Sequence, residues 1–389
     1  MENCAKISIS PKGQRNMKCN LLLSLMQLDI GGAETHVVEL AKELKKRGYH
    51  VVVTSNGGVY EKELADAGIK HYRVPLQNKN PKNVLHAFRE LRRIIEKEKI
   101  DLVHSHARIP SFILGRLHKK MHFPFVTTAH WVFTTKYGLK YITDWGQKTL
   151  AVSEDIKKYL MDNYHIPESD IIVTINGIDT DKFSPDTDDT EVRKEFGLTP
   201  EDHVITYVSR MDQDRSLVAH QLIAAMQKLD PLIENLKLLI VGGGNDFDAV
   251  QKEAKEMNQT LGREAILLAG ARTDINRLVA PADLFVGVSR AALEAMAAAK
   301  PTVIAGNEGY IGLFDKDKID LCFSTNFCCR GCPQSETETL ANEIGAFFGM
   351  WDEDREKLGQ FSREFVKERY SVKKMTDDTE RLYRMVLKK

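Results

Sequence analysis

Two arginines, Arg210 and Arg215, stand on one polar run, Ser209-Arg210-Met211-Asp212-Gln213-Asp214-Arg215, just after an apolar stretch. Paired guanidiniums on one loop can grip a diphosphate bidentately, each charge-assisted bond contributing about 1.5–3 kcal/mol. Further along, the apolar run Leu284 to Val288 passes through Gly287, Val288, Ser289 and Arg290 into an alanine-rich helical stretch with Glu294 in its first turns. A strand, a glycine-containing turn and a helix start together offer backbone N–H groups and the positive end of a helix dipole. A nucleoside diphosphate can bind there without a metal. The carboxylate one turn further in can reach a ribose diol, so these residues together suggest a nucleotide-sugar site.

Other segments carry weaker signals. Gly31-Gly32-Ala33-Glu34 opens the first helical stretch, and paired glycines let a ligand approach the backbone closely. Val241-Gly242-Gly243-Gly244 ends another strand-like run. His130 ends the run Val126-Thr127-Thr128-Ala129, while His104 and His106 end the preceding one, so several imidazoles line one edge of the first half. Zinc would want a carboxylate or a third well-placed ligand beside them, and none is evident in the sequence, so no metal is expected. The Asp-x-Asp pairs Asp179/Asp181 and Asp212/Asp214 lie in polar loops and read as solvated turns. Of six cysteines, Cys322, Cys328, Cys329 and Cys332 share one segment. Adjacent Cys328 and Cys329 make a poor chelate, and reduced thiols in a surface loop are expected.

Strand-like and helix-like runs alternate through both halves, the pattern of parallel sheets covered by helices. In the first half, strands are expected at 20–26, 50–54, 101–104, 125–130, 150–153 and 171–175, with helices at 31–47, 60–67 and 83–98. The pattern stops around Asn176-Gly177-Ile178-Asp179, and a polar stretch with Pro185 follows. A second set of strands is expected at 204–208, 236–241, 265–269, 284–288 and 302–305. The expected organisation is an α/β chain of two Rossmann-like domains facing across a cleft: a flexible extension over 1–19, an acceptor-binding domain over 20–184, a nucleotide-sugar-binding domain over 185–369 and a C-terminal helix over 370–389 that crosses back to the first domain.

Composition bounds the partners. Among 389 residues, 55 basic and 55 acidic side chains cancel, which gives no overall field for nucleic acid. No apolar run is long enough to span a membrane, and the first twenty residues lack the apolar core of a secretion signal, so a cytoplasmic location is expected. Basic and apolar residues at His118-Lys119-Lys120-Met121-His122-Phe123 and at Arg92-Arg93 would allow the first domain peripheral contact with a membrane's inner face, though a solvated helix end also accounts for them.

The order and spacing of these motifs resemble the retaining, family 4 type of glycosyltransferase with the two-domain GT-B fold. The likeness rests on Gly31-Gly32-Ala33-Glu34, Asn176-Gly177-Ile178-Asp179 with Phe183, the Arg210/Arg215 pair, Val241-Gly242-Gly243-Gly244, and Leu293-Glu294-Ala295-Met296-Ala297 with Lys300-Pro301. The resemblance implies sugar transfer from a nucleoside-diphosphate sugar to an acceptor hydroxyl on a glycan, lipid-linked or small molecule, without metal or other cofactor. It implies that Arg210 and Arg215 bind the donor diphosphate, that Glu294 binds the ribose, and that the Gly287–Arg290 amides hold sugar and phosphates. It further places Arg272 near the nucleobase, His130 on the donor sugar, Gly32 against phosphates and acceptor, and Gly242 and Gly243 beside the donor. Gly31, Glu34 and His106 are the remaining acceptor-side candidates. One position departs: the family's first glutamate falls at Val286, and its Gly-Phe-Gly is replaced by Gly287-Val288-Ser289. Ser289, Arg290 and Glu308 are candidates to replace the lost carboxylate. Two alternatives stay open: a nucleotide-sugar epimerase of the same fold, with Glu34 as its main acid/base candidate, and a non-catalytic nucleotide-sugar-binding homologue.

Overall fold

A computed structural model describes the backbone of Ser8–Ile9, Arg15–Asn16 and residues 19–387. The extension expected over 1–19 lies almost wholly outside the described residues, as does Cys4. The chain divides into two compact units, Met1–Gly177 with Val372–Lys389, and Ile178–Ser371.

The first unit is built on seven parallel strands. Their spatial order is Lys70–Arg73, His50–Ser55, Asn20–Ser24, Leu102–Ser105, Phe125–Ala129, Lys148–Ala151 and Ile171–Val173. Leu21, Leu22 and Leu23 are all fully buried, because alternate side chains point to opposite faces and helices cover both. One face packs Leu21 and Leu23 with Val37, Leu40 and Ala41 of the helix Gly32–Lys46, and with Met375, Leu382 and Tyr383 of the C-terminal helix Val372–Leu387. The other face packs Leu22 with Leu91 and Ile94 of Pro81–Lys97 and with Ile113 and Leu114 of Arg108–Met121. Two elements go beyond the sequence reading. Lys70–Arg73 is a polar edge strand, which composition hides. Arg108–Met121 starts without a side-chain cap, at Ala107, and so lacks the usual N-terminal signature.

The second unit holds six strands in the order Ile266–Gly270, Leu236–Val241, His203–Val208, Leu284–Gly287, Thr302–Gly306 and Gly309–Leu313. The first five are parallel; Gly309–Leu313, which the sequence did not signal, returns antiparallel beside Thr302–Gly306. The division falls at 177/178 and 371/372, where 184/185 and 369/370 were expected. Residues 178–184 belong to the second unit because Arg363 donates to the Phe183 carbonyl at 3.1 Å and Ile178 N–H donates to the Tyr370 carbonyl at 2.7 Å.

Both sheets reverse their winding beside the first strand. In the first unit the reversal lies between Asn20–Ser24 and Leu102–Ser105, in the second between His203–Val208 and Leu284–Gly287. Strand order that turns back leaves a crevice outside the carboxyl ends at that point, where open α/β sheets bind ligands. The sequence-predicted residues emerge from these four strands and their immediate neighbours.

Candidate functional site

In the second unit, register decides which loops meet. Tyr207 lies opposite Val286, so the loop that follows Val208 and the loop that follows Gly287 leave the sheet side by side. The first carries Arg210 and Arg215; the second leads into the helix Ser289–Ala297. Arg210 is 61% exposed and forms an ion pair with Asp212 at 2.5 Å, and Arg215 is 50% exposed with Asp214 at 3.9 Å. Both guanidiniums are therefore accessible, and among the described residues their ion pairs are to carboxylates of their own loop. Asp212 and Asp214, one of the Asp-x-Asp pairs, are those partners. In the other pair, Asp179 accepts from the backbone N–H groups of Asp181 and Lys182, as a turn aspartate does.

Gly242 has a local structural reason. Its φ is +140°, and a Cβ there would collide with the Ser209 carbonyl oxygen. Gly242 thus lets the loop after Leu236–Val241 press against the arginine loop, and Met211 N–H donates to the Gly243 carbonyl at 3.1 Å. The glycine run is a packing device for the arginine loop. Arg272 is held flat by Asp274 and Glu195, at 2.7–2.8 Å and 2.6–3.2 Å, and both partners raise its pKa.

Glu294 is 8% exposed and accepts from Arg290 Nε at 2.8 Å. Burial raises its pKa, partly offset by Arg290. Ser289 occupies the left-handed region, φ +53°, where a side chain is disfavoured and glycine is at ease. Its N–H donates to the Phe327 carbonyl at 2.7 Å, so the segment carrying the clustered cysteines is tied to the start of this helix. That segment is less exposed than expected: Cys322 and Cys329 are fully buried, with Cys328 and Cys332 half-buried. Burial pushes the Cys322 thiol up to about 12 and raises that of Cys329.

In the first unit the helix Gly32–Lys46 begins right after the first strand's loop, and a Cβ added at Gly32 would meet open space. The Glu34 carboxylate lies against Gly31, and burial raises its pKa. Behind this helix start is a cluster of imidazoles. His106 Nδ1 and His130 Nε2 share a hydrogen bond of 3.1 Å, and the His36 and His130 rings meet edge to face with centroids 4.7 Å apart. His36 Nδ1 is bonded to Asn176 Oδ1 at 3.1 Å. His104 is bonded on both sides, to Tyr383 at 2.8 Å and Thr128 at 2.7 Å. Burial pushes His104 down to about 3 and holds His106 and His130 well below the usual imidazole range, so all three are neutral at pH 7. His106, expected at the acceptor, is only 3% exposed and backs His130.

The sequence reading missed His36, the third imidazole it sought for a metal. His36, His106 and His130 offer nitrogens within 4.8 Å of one another, the one such group among the described residues. The hydrogen bonds to Asn176 and between His106 and His130 already engage one nitrogen of each ring. The signal for His36 was its place on the buried face of the first helix, in register with Leu40 and Val37.

Residues 30–182 match the family described as Glycosyltransferase Family 4, and residues 188–365 match the family described as Glycosyl transferases group 1. The chain is 23% identical over 380 residues to N-acetyl-alpha-D-glucosaminyl L-malate synthase of Bacillus anthracis, covering 92% of this chain and 95% of that protein. A glycosyltransferase structure from Rickettsia africae ESF-5 superposes with a TM-score of 0.76 at 24% identity, over 95% of this chain and 99% of that one. Anabaena Alr3699/HepE, solved in complex with UDP-glucose, superposes with a TM-score of 0.69 at 17% identity, over 94% and 99%. With doubly wound sheets in both units and two family matches that together run from residue 30 to residue 365, the chain belongs to the family 4 glycosyltransferases of GT-B fold.

Proposed function

We propose that the protein transfers a sugar from a nucleoside diphosphate to an acceptor hydroxyl with retention of anomeric configuration, Arg210 and Arg215 meeting the diphosphate's charge without a metal. The observation that carries this reading is the side-by-side emergence of the arginine loop and the Ser289–Ala297 helix start at the second unit's switch point. As the bond from the anomeric carbon to the phosphate oxygen breaks, negative charge grows on the diphosphate. Pre-placed cations and helix N–H groups stabilise it more in the transition state than in the ground state. The acceptor oxygen attacks from the same face, its proton passes to the departing diphosphate, and the new glycosidic bond forms on the side that the old one left. Arg272 supports the nucleobase, Glu294 the ribose and the amides of the Gly287–Arg290 turn, apart from that of Ser289 which is given to the Phe327 carbonyl, the phosphates, with Gly242 and Gly243 holding the arginine loop in place.

On the acceptor side we assign Gly31, Gly32 and Glu34, with His130, kept neutral by its burial, on the donor sugar and His106 as the positioning residue that orients it through their 3.1 Å hydrogen bond. The UDP-glucose complex of the Anabaena structure supports a nucleotide-sugar donor. Among the described residues no helix is long and apolar enough to cross a membrane. For a lipid-linked acceptor, the arginines first considered, Arg92 and Arg93, pair with Glu96 and Glu90 of their own helix at 2.9 and 2.6 Å, exposed pairs that an anionic headgroup could displace. The exposed aromatics Trp131, Tyr137 and Tyr141 are a better surface for such contact.

The test is thermal stabilisation by UDP, GDP, ADP and their sugar conjugates, with Arg210→Ala removing the shift for whichever binds. If the variant is stabilised as fully as the wild type, the diphosphate assignment is wrong. Nucleoside diphosphate released only when acceptor is present separates transfer from epimerisation and from binding without turnover.

A further inference from the structure

The family resemblance expects a carboxylate at position 286, where this chain has Val286, and two of the three residues considered as its replacement are already engaged. Arg290 offers only donors and is paired with Glu294 at 2.8 Å, and Glu308 is paired with Arg330 at 2.8 Å. Position 286 itself faces the wrong way for a polar group. Val286 is fully buried in the apolar cluster with Ile205, Tyr207 and Ala305, where a carboxylate would lose its hydration.

A fourth residue has the right chemistry. Asn307 sits in the hairpin turn joining Thr302–Gly306 to Gly309–Leu313, with Gly306 opposite Gly309. Thr302–Gly306 neighbours the strand that leads to the Gly287–Arg290 loop, Gly287 lying opposite Ile304. The contact between turn and loop is close, since a Cβ on Gly306 would come 2.7 Å from Val288 Cγ1. Asn307 Oδ1 is buried and has no hydrogen-bond partner among the described residues. A buried acceptor left unpaired is costly, so such an atom calls for a partner that arrives with a ligand. The turn is also held from outside: Tyr310 N–H donates to the Pro333 carbonyl at 2.8 Å, and Arg330 grips Glu308. This bracing fixes the turn that carries Asn307 beside the strand that leads to the helix start.

We propose that Asn307 is a donor-contacting, specificity-determining residue, its Oδ1 accepting a hydrogen bond from a hydroxyl of the donor sugar in place of the absent carboxylate. The proposal rests on the nucleotide-sugar reading of the second unit. It implies selection of a sugar with a free hydroxyl at the contacted carbon.

The experiment compares affinities of full-length wild type, Asn307→Ala and Asn307→Asp for bare nucleoside diphosphates (UDP, GDP, ADP) and for UDP-glucose, UDP-galactose, UDP-N-acetylglucosamine, GDP-mannose and ADP-glucose, by titration calorimetry. Asn307→Ala is expected to weaken the preferred nucleotide-sugar about three- to tenfold, the loss of one neutral hydrogen bond, and to leave the matching bare diphosphate within about twofold. Asn307→Asp keeps an acceptor oxygen and is expected to retain most of the affinity. Equal weakening of sugar conjugate and bare diphosphate would mean a purely structural role and overturn the proposal, as would no change in either. A wild-type protein that binds none of the diphosphates would instead remove the nucleotide-sugar reading and this inference with it.

Discussion

The two units use the same sheet plan to opposite electrostatic ends. At the second unit's switch point the groups are permanent charges left in water: Arg210 and Arg215 are 61% and 50% exposed and form ion pairs with acids of their own loop. At the first unit's switch point they are buried and half-buried imidazoles, with His104, His106 and His130 neutral, bonded within the cluster and to Asn176, Tyr383 and Thr128. Exposed ion pairs are weak and can be exchanged for a ligand's phosphates at small cost. Buried hydrogen-bonded rings are rigid, and suit orientation of a neutral substrate. Under the proposed function, the contrast would give anion recognition to one unit and positioning of uncharged hydroxyls to the other.

The largest effect that would break this contrast is on activity. Replacing Arg210 and Arg215 together by alanine is expected to lower transfer by at least about 100-fold, each arginine supplying about 1.5–3 kcal/mol, while the unfolding midpoint stays unchanged. A double variant that loses stability and keeps its rate would show that these arginines serve the fold. Next comes Gly242→Ala. It combines a disfavoured φ with collision against the Ser209 carbonyl, and we expect a loss of about 2–4 kcal/mol in urea denaturation, with donor affinity falling as the arginine loop shifts.

Acid should separate the units. The folded pKa values of His104, His106 and His130 lie below the unfolded imidazole value of about 6.5, so the unfolded chain binds more protons under that pH. Their stabilisation is fully present above about pH 6.5 and is lost as pH falls from there, with a slope approaching about 1.4 kcal/mol per pH unit for each ring. Glu294 works in the opposite sense. Its raised pKa favours the folded state below the ordinary carboxylate range, and that contribution disappears as pH rises through the folded value. Hydrogen exchange at pH 7.5, 6.5 and 5.5 should therefore show protection of the first unit's sheet falling on acidification ahead of the second's, with a shallower fall in His104→Gln. Equal loss in both would remove the histidines as the cause.

The smallest effect concerns Ser289. A glycine there relieves the left-handed backbone and is expected to stabilise the second unit by about 0.5–1 kcal/mol, read as a higher melting temperature. A lower melting temperature would show that the serine side chain contributes more than its backbone costs.

Much of the site was legible because its chemistry travels with short motifs. Arg210, Arg215, Glu294 and the glycines after Val241 each follow an apolar strand, and a parallel sheet puts whatever follows a strand at one edge. Asn307 and His36 were not legible. Asn307 sits in an antiparallel hairpin whose return strand, Gly309–Leu313, has two glycines and little β-signal, and an unpaired oxygen is a property of packing alone. His36 looked like one polar residue in an amphipathic helix until the neighbouring strands placed His106 and His130 against it. The cysteines misled in the other direction, since a spacing poor for metal binding was read as thiols in a surface loop while Cys322 and Cys329 are enclosed.

The order of residues by itself determined that this chain makes two mainly parallel sheets, with an arginine pair and glycine turns following strands of the second, because strand hydrophobicity, glycine turns and arginine spacing are local and add up along the chain. Only the tertiary structure decided which groups are charged and which are satisfied. Burial sets an imidazole's protonation, and an ion pair or a lone acceptor exists only once distant segments are in contact. Those two quantities separate a residue that binds a ligand from one that holds the fold.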